Sequence, residues 1–426
     1  MKKFILSLAS MLITLSLSAE LTLDGCLKAA EENYPLIKKY ELIDRTQTLN
    51  LSDINKQWLP GATVYAQGTI QNAVAEYPSA LRQVMTQFGQ EIKGLGKLQY
   101  KVGLDLQQTI WDGGTSKAKR EITRADSEEA ANRLRVNLYQ IRERVMSLYF
   151  GLLLVDEQIK QQEQAISLLE ANCRKLKNME RDGVAMKSDV NNIEAQILTA
   201  RQQLTQAQSA RQSYAKVLSL YIGEEVGSQT LTKPSDSMPA TLTSNRPEIS
   251  LFDSQMAANN AKLTEVKASL MPRISAFAQS FYGYPGFNNM EAMINRNPSF
   301  NIIAGVKVAW TLAPVYTNRN MKAKIAMAND GIEIDREVFL FNSSLQSASQ
   351  SEEINAMRRM MADDSKIISL REAVRQSAES QLDNGVIDTV ALLSKINDET
   401  QARLTADYHE IKLLQSIYQL KYTLNQ

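Results

Sequence analysis

Few residues of this chain could make or break bonds. His409 is the single histidine and lies in a helical stretch between Tyr408 and Glu410, where a structural or surface role suits it. Cys26 and Cys173 are the only cysteines; no zinc spacing exists, and they read as two small buried side chains. The two could pair only if the first helix lies beside the long one. Asp and Glu pairs are abundant on the helical stretches, but such spacing alone carries almost no signal for acid–base work. Phosphate-loop, zinc-hydrolase and calcium-loop motifs are missing, so the reading is of no enzyme, no metal and no cofactor. The remaining chemistry is that of charge. Asp182 and Asp189 flank Gly183 and Lys187, while Asp383 and Asp388 flank Gly385, two turns at which repeated copies would gather carboxylates in one place.

The elements that hold those turns dominate the chain. From about Lys117 to Ile222 the sequence reads as one very long helix, a break near Asp182 and Gly183, and a second long helix returning. Ile141, Val145, Leu148, Leu152, Val155, Ile159, Ile166, Leu169, Cys173 and Leu176 recur at heptad-like steps, missed only at Gln162. The return limb carries Val190, Ile193, Ile197, Leu204, Ala207, Tyr214, Leu218 and Tyr221. An outgoing limb from Lys117 to Arg181 would be roughly 100 Å long at about 1.5 Å per residue, so it must lie along other helices in an elongated assembly.

The 426 residues carry 48 basic and 47 acidic side chains, finely interspersed, which gives no footprint for nucleic acid. Lys2 and Lys3, an apolar stretch from Phe4 to Leu17, then Ser18 and Ala19 read as an export signal over residues 1–19. Its removal leaves 46 basic against 47 acidic residues, about −1. Leu23, Asp24 and Gly25 make a poor lipidation signal before Cys26. After residue 19 no apolar run approaches the roughly 18 residues of a membrane helix; the nearest, Val145 to Val155, is interrupted by Ser147.

Leu21 to Trp58 reads as helix, capped by Thr22 and interrupted at Pro35. The period then changes to two. Val64, Ala66, Gly68 and Ile70 alternate with Thr63, Tyr65, Gln67 and Thr69, and after a mostly polar loop over 71–100, Val102, Leu104, Leu106 and Ile110 alternate with Gly103, Asp105, Gln107 and Thr109. Gln108 breaks this second alternation. Trp111, Asp112, Gly113 and Gly114 form the turn into the long helix, with Trp111 placed at a polar–apolar boundary.

The arrangement recurs. Asn33, Pro35, Pro60, Ala66 and Gln67 reappear at an offset of 212 as Asn245, Pro247, Pro272, Ala278 and Gln279. Gly103, Thr109, Gly183 and Val184 reappear at an offset of 202 as Gly305, Thr311, Gly385 and Val386. The reading is a tandem duplication: first repeat 20–222, linker 223–244, second repeat 245–426, each with a helix, a strand pair and a long helical hairpin. The second strand pair is expected over Arg273 to Phe281 and Asn301 to Leu312. Four strands of about ten residues have the length to cross a membrane at a tilt, yet they cannot close a barrel alone, so three copies giving twelve are expected.

These features resemble the TolC-like outer membrane efflux proteins over essentially the whole mature length. The opening from Leu21, Thr22 and Leu23 through Cys26, Leu27, Ala30, Asn33 and Pro35 looks like that family's start. Gly113 and Gly114 resemble its phenylalanine-aspartate-glycine-glycine junction, with Trp111 in place of Phe. Gly183, Asp189 and Val190 match its first hairpin motif, followed by Ala195 and Leu204. The resemblance implies a mainly α protein with a membrane β-barrel: a homotrimeric, twelve-stranded barrel in outer-membrane lipid, joined to a long helical barrel in the periplasm. It further implies an entrance at the hairpin turns and a periplasmic adaptor protein with an inner-membrane transporter as partners. The chain departs from the pattern at the second hairpin. Ile387 stands where a linking arginine is usual, and Ala391 and Ser394 where the ring aspartates are. Ala313, Pro314 and Val315 replace the second glycine-rich junction. A soluble periplasmic coiled-coil scaffold or pump adaptor is the alternative, and the strand pairs argue against it.

Overall fold

A computed structural model describes residues 21–426 apart from residues 90, 92 and 228. The expected export signal lies outside the described residues. The chain divides into two compact units: one holds 40–132 and 251–335, the other 133–250, 336–426 and the residues through Lys39.

In the first of these units a four-stranded antiparallel sheet has the order β1 (Gly61–Ile70), β2 (Leu98–Trp111), β3 (Arg273–Tyr284), β4 (Ser299–Ala309). Its register aligns Val64 with Leu104, Leu104 with Ser280, and Ser280 with Ile302. Up to the bulge that follows Thr109, every odd or even set therefore shares a face across all four strands. The expected strands are present but longer on β2, which starts at Leu98, and shorter on β4, which ends at Ala309. Trp310 has left the ladder, and its indole donates to the Leu270 carbonyl at 3.0 Å.

The stretch 71–100, expected as loop, contains helix Ser79–Gln87 behind Pro78. Leu81, Val84 and Met85 give it one short apolar stripe, too brief to stand out among polar neighbours. Beside the sheet, helix Lys39–Lys56 meets the start of Thr115–Arg181 through Arg120 and Asn55 at 3.1 Å, and helix Pro247–Ala268 meets the start of Ala313–Asp383 through Asn329 and Asn260 at 2.9 Å. Pro314 is accommodated because the first helical turn needs no internal N–H bond.

The other unit is built from the long helices and the terminal segments. Helix Leu23–Asn33 is capped by Thr22, whose hydroxyl accepts from Gly25 N at 3.2 Å, and Pro35–Lys38 forms a single 3₁₀ turn where the interruption was expected. The linker is tied down: Leu231 bridges Leu21 in parallel, and the Tyr149 hydroxyl lies 2.6 and 2.7 Å from the carbonyls of Leu21 and Thr232. Thr115–Arg181 is followed by Lys187–Ile222, and Ala313–Asp383 by Thr389–Leu424.

A core of Ile166, Leu169, Cys173 and Leu176 packs with Val190, Ile193 and Ile197, and with Ala378, Leu382, Leu392 and Ile396. The expected heptad residues of the first hairpin thus pack against apolar residues of the second. Where the heptad is missed, the neighbouring Gln161 is buried and donates to Asp407 at 2.8 Å, so a polar contact replaces the apolar one. A second polar layer joins Arg375, Glu399, Arg403 and Glu372; Glu399 is 6% exposed and accepts from both arginines. Both cysteines are buried and free. Burial, then the nearby Glu224 charge, pushes the Cys26 thiol up to about 12, which keeps it protonated and inert.

Candidate functional site

Three places gather the residues singled out by the sequence: the sheet, its junction with the long helix, and the hairpin turns.

One face of the sheet is formed by Val64 and Ile70 on β1, Val102, Leu104 and Leu106 on β2, Ala276, Ala278 and Tyr282 on β3, and Phe300, Ile302, Val306 and Val308 on β4. Val64, Ile302, Val306 and Val308 are 77, 65, 65 and 65% exposed, so this apolar face is left uncovered by the described residues. Tyr100, Tyr282 and Phe300 edge it toward one end, and Trp111 and Trp310 lie toward the other, all exposed. Apolar residues bounded by two aromatic belts are what a strand face needs against hydrocarbon and two headgroup layers. Strands of 10, 14, 12 and 11 residues meet the roughly 9–11 that a tilted span needs.

The opposite face carries Thr63, Tyr65, Gln67, Gln99, Lys101, Asp105, Gln107, Ser275, Gln279, Asn301 and Lys307. The Lys101 ammonium sits 5.6 and 5.7 Å from the Tyr65 and Phe281 ring centres. Gly103 fits between these aromatics because a Cβ there would lie 2.6 Å from the Ser280 carbonyl and 2.9 Å from the Tyr65 ring. A larger residue would force the strands apart. Gln108, which broke the alternation, turns its amide to the Trp58 and Thr109 carbonyls beside a bulge between Thr109 and Trp111.

At the junction, Trp111 ends β2, and Asp112 holds the first turn of the long helix (Thr115–Arg181). Its Oδ1 accepts from Gly114 N at 2.9 Å and its Oδ2 from Ser116 N at 2.6 Å. Gly113 and Gly114 both have positive φ, 69° and 87°, and a Cβ on Gly113 would lie 2.9 Å from Met271, so the turn requires glycine twice over. Burial acts to raise the Asp112 pKa and is outweighed by the hydrogen bonds from Ser116 and Gly114, leaving it below the ordinary value. A depressed carboxylate contributes stability above its unfolded pKa and loses it as pH falls through the folded one. Asp112→Ala is therefore expected to cost about 0.5–2 kcal/mol at neutral pH. The gap between wild type and variant in thermal unfolding should close at pH values below the ordinary carboxylate range. A gap that persists unchanged in acid would show that the charge of Asp112 is not what holds the turn.

At the hairpin turns, Gly183 and Gly385 have φ of 77° and 71°. Around each, the same pair of bonds ends the outgoing helix: Val184 N to Met179 O and Gly183 N to Glu180 O in the first, Val386 N to Gln381 O and Gly385 N to Leu382 O in the second, at 2.8–3.0 Å. This is a Schellman closure, which demands a left-handed residue and hence glycine. The return helices are capped in two different ways. Asp189 sits in the first turn of Lys187–Ile222 and reaches back to Met186 N at 3.0 Å, whereas Asp388 precedes Thr389–Leu424 and accepts from Ala391 N at 2.8 Å. The two carboxylates thus serve as helix caps, and Asp383 pairs with Lys175 at 3.3 Å. Asp182 and Lys187 are exposed. Next to the glycines, Val184, Met186, Val386 and Val390 are 68, 73, 70 and 58% exposed, an apolar surface at each turn that charge-based reading did not single out. The adjacency of Val184 and Val386 to the glycines was the available signal. Thr389, by contrast, is 1% exposed.

Among the described residues no group of His, Cys, Asp and Glu could hold a metal ion, and no helix is long and apolar enough to cross a membrane.

Residues 53–224 match the sequence model of the outer membrane efflux protein family. No curated protein sequence matches the chain. Among solved structures, the outer membrane protein VceC of Vibrio cholerae is 12% identical and superposes with a TM-score of 0.65 over 94% of this chain and 95% of that one. The CmeC outer membrane channel of Campylobacter jejuni gives 13%, 0.65, 94% and 85%, and the open state of the MtrE outer membrane channel of Neisseria gonorrhoeae gives 13%, 0.65, 94% and 88%. At such identities the structures speak for the fold, while the matched segment, which covers the first strand pair, the junction and the first hairpin, speaks for the family. Residues 53–224 thus resemble the outer membrane efflux proteins, and the fold over nearly the whole chain is that of the solved outer-membrane channels.

Proposed function

We infer that this chain is the outer-membrane channel of a tripartite export system, with its helical part in the periplasm. The observation that carries this is the sheet: one exposed apolar face between aromatic belts, one polar face, and two unpaired edges on β1 and β4. Open edges cannot stand in lipid, where every backbone group must be bonded, so the edges need other copies. Three copies close a twelve-stranded barrel. A second unpartnered surface supports association: Val338, Phe341 and Leu345, and again Ile367, Leu370 and Val374, lie at steps of three and four along Ala313–Asp383 and are 46–63% exposed. Such a stripe suits helix-on-helix packing with a neighbouring copy.

The element order of residues 20–222 recurs in 245–426, and the matched Schellman closures favour a duplicated unit joined by 223–244. The turns around Gly183 and Gly385, with Asp182, Lys187, Asp189, Asp383 and Asp388, form the periplasmic entrance and meet an adaptor protein that links the channel to an inner-membrane transporter. Movement of cargo needs no catalytic group in this chain.

Fractionation tests the whole reading. The protein is expected in the outer membrane, extracted only by detergent, as a trimer that dissociates on heating before electrophoresis. A monomer released by osmotic shock would overturn it.

A further inference from the structure

The polar face of the sheet is electrically lopsided. Its charged residues are Lys101, Arg273 and Lys307 against Asp105, a surplus of two positive charges per chain. The surplus is concentrated at the helix-side end. Arg273 pairs across the strands with Ala309 and Lys307 with Ser275, so the two cations are diagonal neighbours on one face, separated by about 7–8 Å at the backbone. Lys119, from the second turn of the long helix, reaches Gln57 at 3.4 Å beside them.

Together these residues line a pocket of about 310 Å³ with Gln107, Thr109, Thr115 and Ser275. Three cations face it and one carboxylate, Asp112, whose two oxygens are already engaged by Gly114 and Ser116. Neither Arg273 nor Lys307 has a carboxylate at ion-pair distance among the described residues. Like charges set diagonally repel, and a protein that wanted only a stable sheet would have little reason to place them there. Cations flanked by amide and hydroxyl groups, with nothing neutralising them, are suited to hold an anion.

We propose that this pocket is an anion-binding station on the channel wall, taking carboxylate, sulfate or phosphate groups, and that the barrel therefore favours anionic over cationic cargo. The inference rests on the channel reading, which places the polar face toward the lumen. Three copies would set three such stations around one ring.

The test reads the local field directly. Ser275→Cys places a thiol in the pocket without removing a charge, and the native Cys26 and Cys173 are buried and do not compete. In intact outer-membrane vesicles, an anionic methanethiosulfonate is expected to label Cys at 275 faster than a cationic one by about tenfold, relative to the same pair of reagents on a small free thiol. Adding Arg273→Gln and Lys307→Gln should bring that ratio to about one. Raising salt so that the screening length falls from about 10 Å to about 3 Å should do the same. A ratio at or below one in the otherwise wild-type background, or one unmoved by the two neutralisations, overturns the proposal. If the cysteine variant assembles poorly, the wild-type trimer in a planar bilayer under a KCl gradient serves instead. Its chloride-to-potassium permeability ratio should drop at least threefold, as an order of magnitude for a field of this kind, when Arg273 and Lys307 are both made Gln. No drop overturns the proposal. Recovery of the wild type as a soluble monomer would instead strike at the channel reading itself.

Discussion

Leu104→Arg is expected to prevent recovery of assembled protein from the outer membrane, whereas Gln107→Arg, three residues along the same strand, is expected to leave most of it intact. Leu104 sits mid-strand on the apolar face, between Val64 on one neighbour and Ser280 on the other. Gln107 lies on the polar face, against Gly61 and Phe277. An arginine on the lipid side costs about 2–4 kcal/mol at the bilayer midplane, and three copies multiply that cost, while one on the lumenal side keeps its water. The second pair repeats the comparison on β4: Val306→Arg, at a position 65% exposed in the isolated chain, should lower the yield of heat-sensitive trimer far more than Lys307→Arg. Both pairs place a single arginine within one strand; the first pair changes net charge equally, while in the second Val306→Arg adds a charge that Lys307→Arg only keeps. Equal trimer yields within the pairs would mean that the face assigned to lipid is wrong.

The strand faces could be read from sequence because alternation has a period of two and survives any error in where a strand begins. The hairpin turns were legible for a related reason. A left-handed residue is needed to close each outgoing helix, and Gly183 and Gly385 supply it equally far along the chain from Gly103 and Gly305. What escaped depends on register between distant segments. Arg273 and Lys307 become neighbours only when β3 and β4 pair with Arg273 opposite Ala309, which no local pattern announces. The ion layer of Arg375, Glu399, Arg403 and Glu372 likewise needs two helices aligned within one turn. Tyr149 and Phe150, both buried, lie off the heptad seam because they pack on the terminal segments and Tyr418 as well as along the helix. The roles of Asp189 and Asp388 were hidden by a shift of three residues. One caps from inside its helix and the other from the residue before it, so aligned sequences place an aspartate in one repeat opposite alanine in the other.

Despite that difference in capping, an exposed valine follows the glycine at each turn, and the second large effect follows from this pair. Val184→Asp combined with Val386→Asp is expected to lower export at least tenfold while the trimer remains as heat-stable as wild type. Each valine follows its helix-closing glycine and is 68 or 70% exposed, with Met186 and Val390 exposed beside it. Neither valine belongs to the buried core around Leu176, Ile193 and Leu382, so the substitutions remove no internal packing. Full burial of a valine against a partner contributes about 1.5–3 kcal/mol, and a trimer presents six such turns. An aspartate there withdraws that contribution and must also shed water, whereas about 1.4 kcal/mol at one contact already changes affinity tenfold. The partner expected at these turns is the periplasmic adaptor. Photocrosslinking groups at Lys187 and Val390 should capture it, with Val390 preferred to the adjoining Thr389 because the latter is 1% exposed and points its probe into the core. A probe at Tyr65, on the sheet, should not capture it. Unchanged export with both aspartates in place, or capture from Tyr65 alone, would mean that the adaptor meets the molecule elsewhere and that the turns around Gly183 and Gly385 are not its periplasmic entrance.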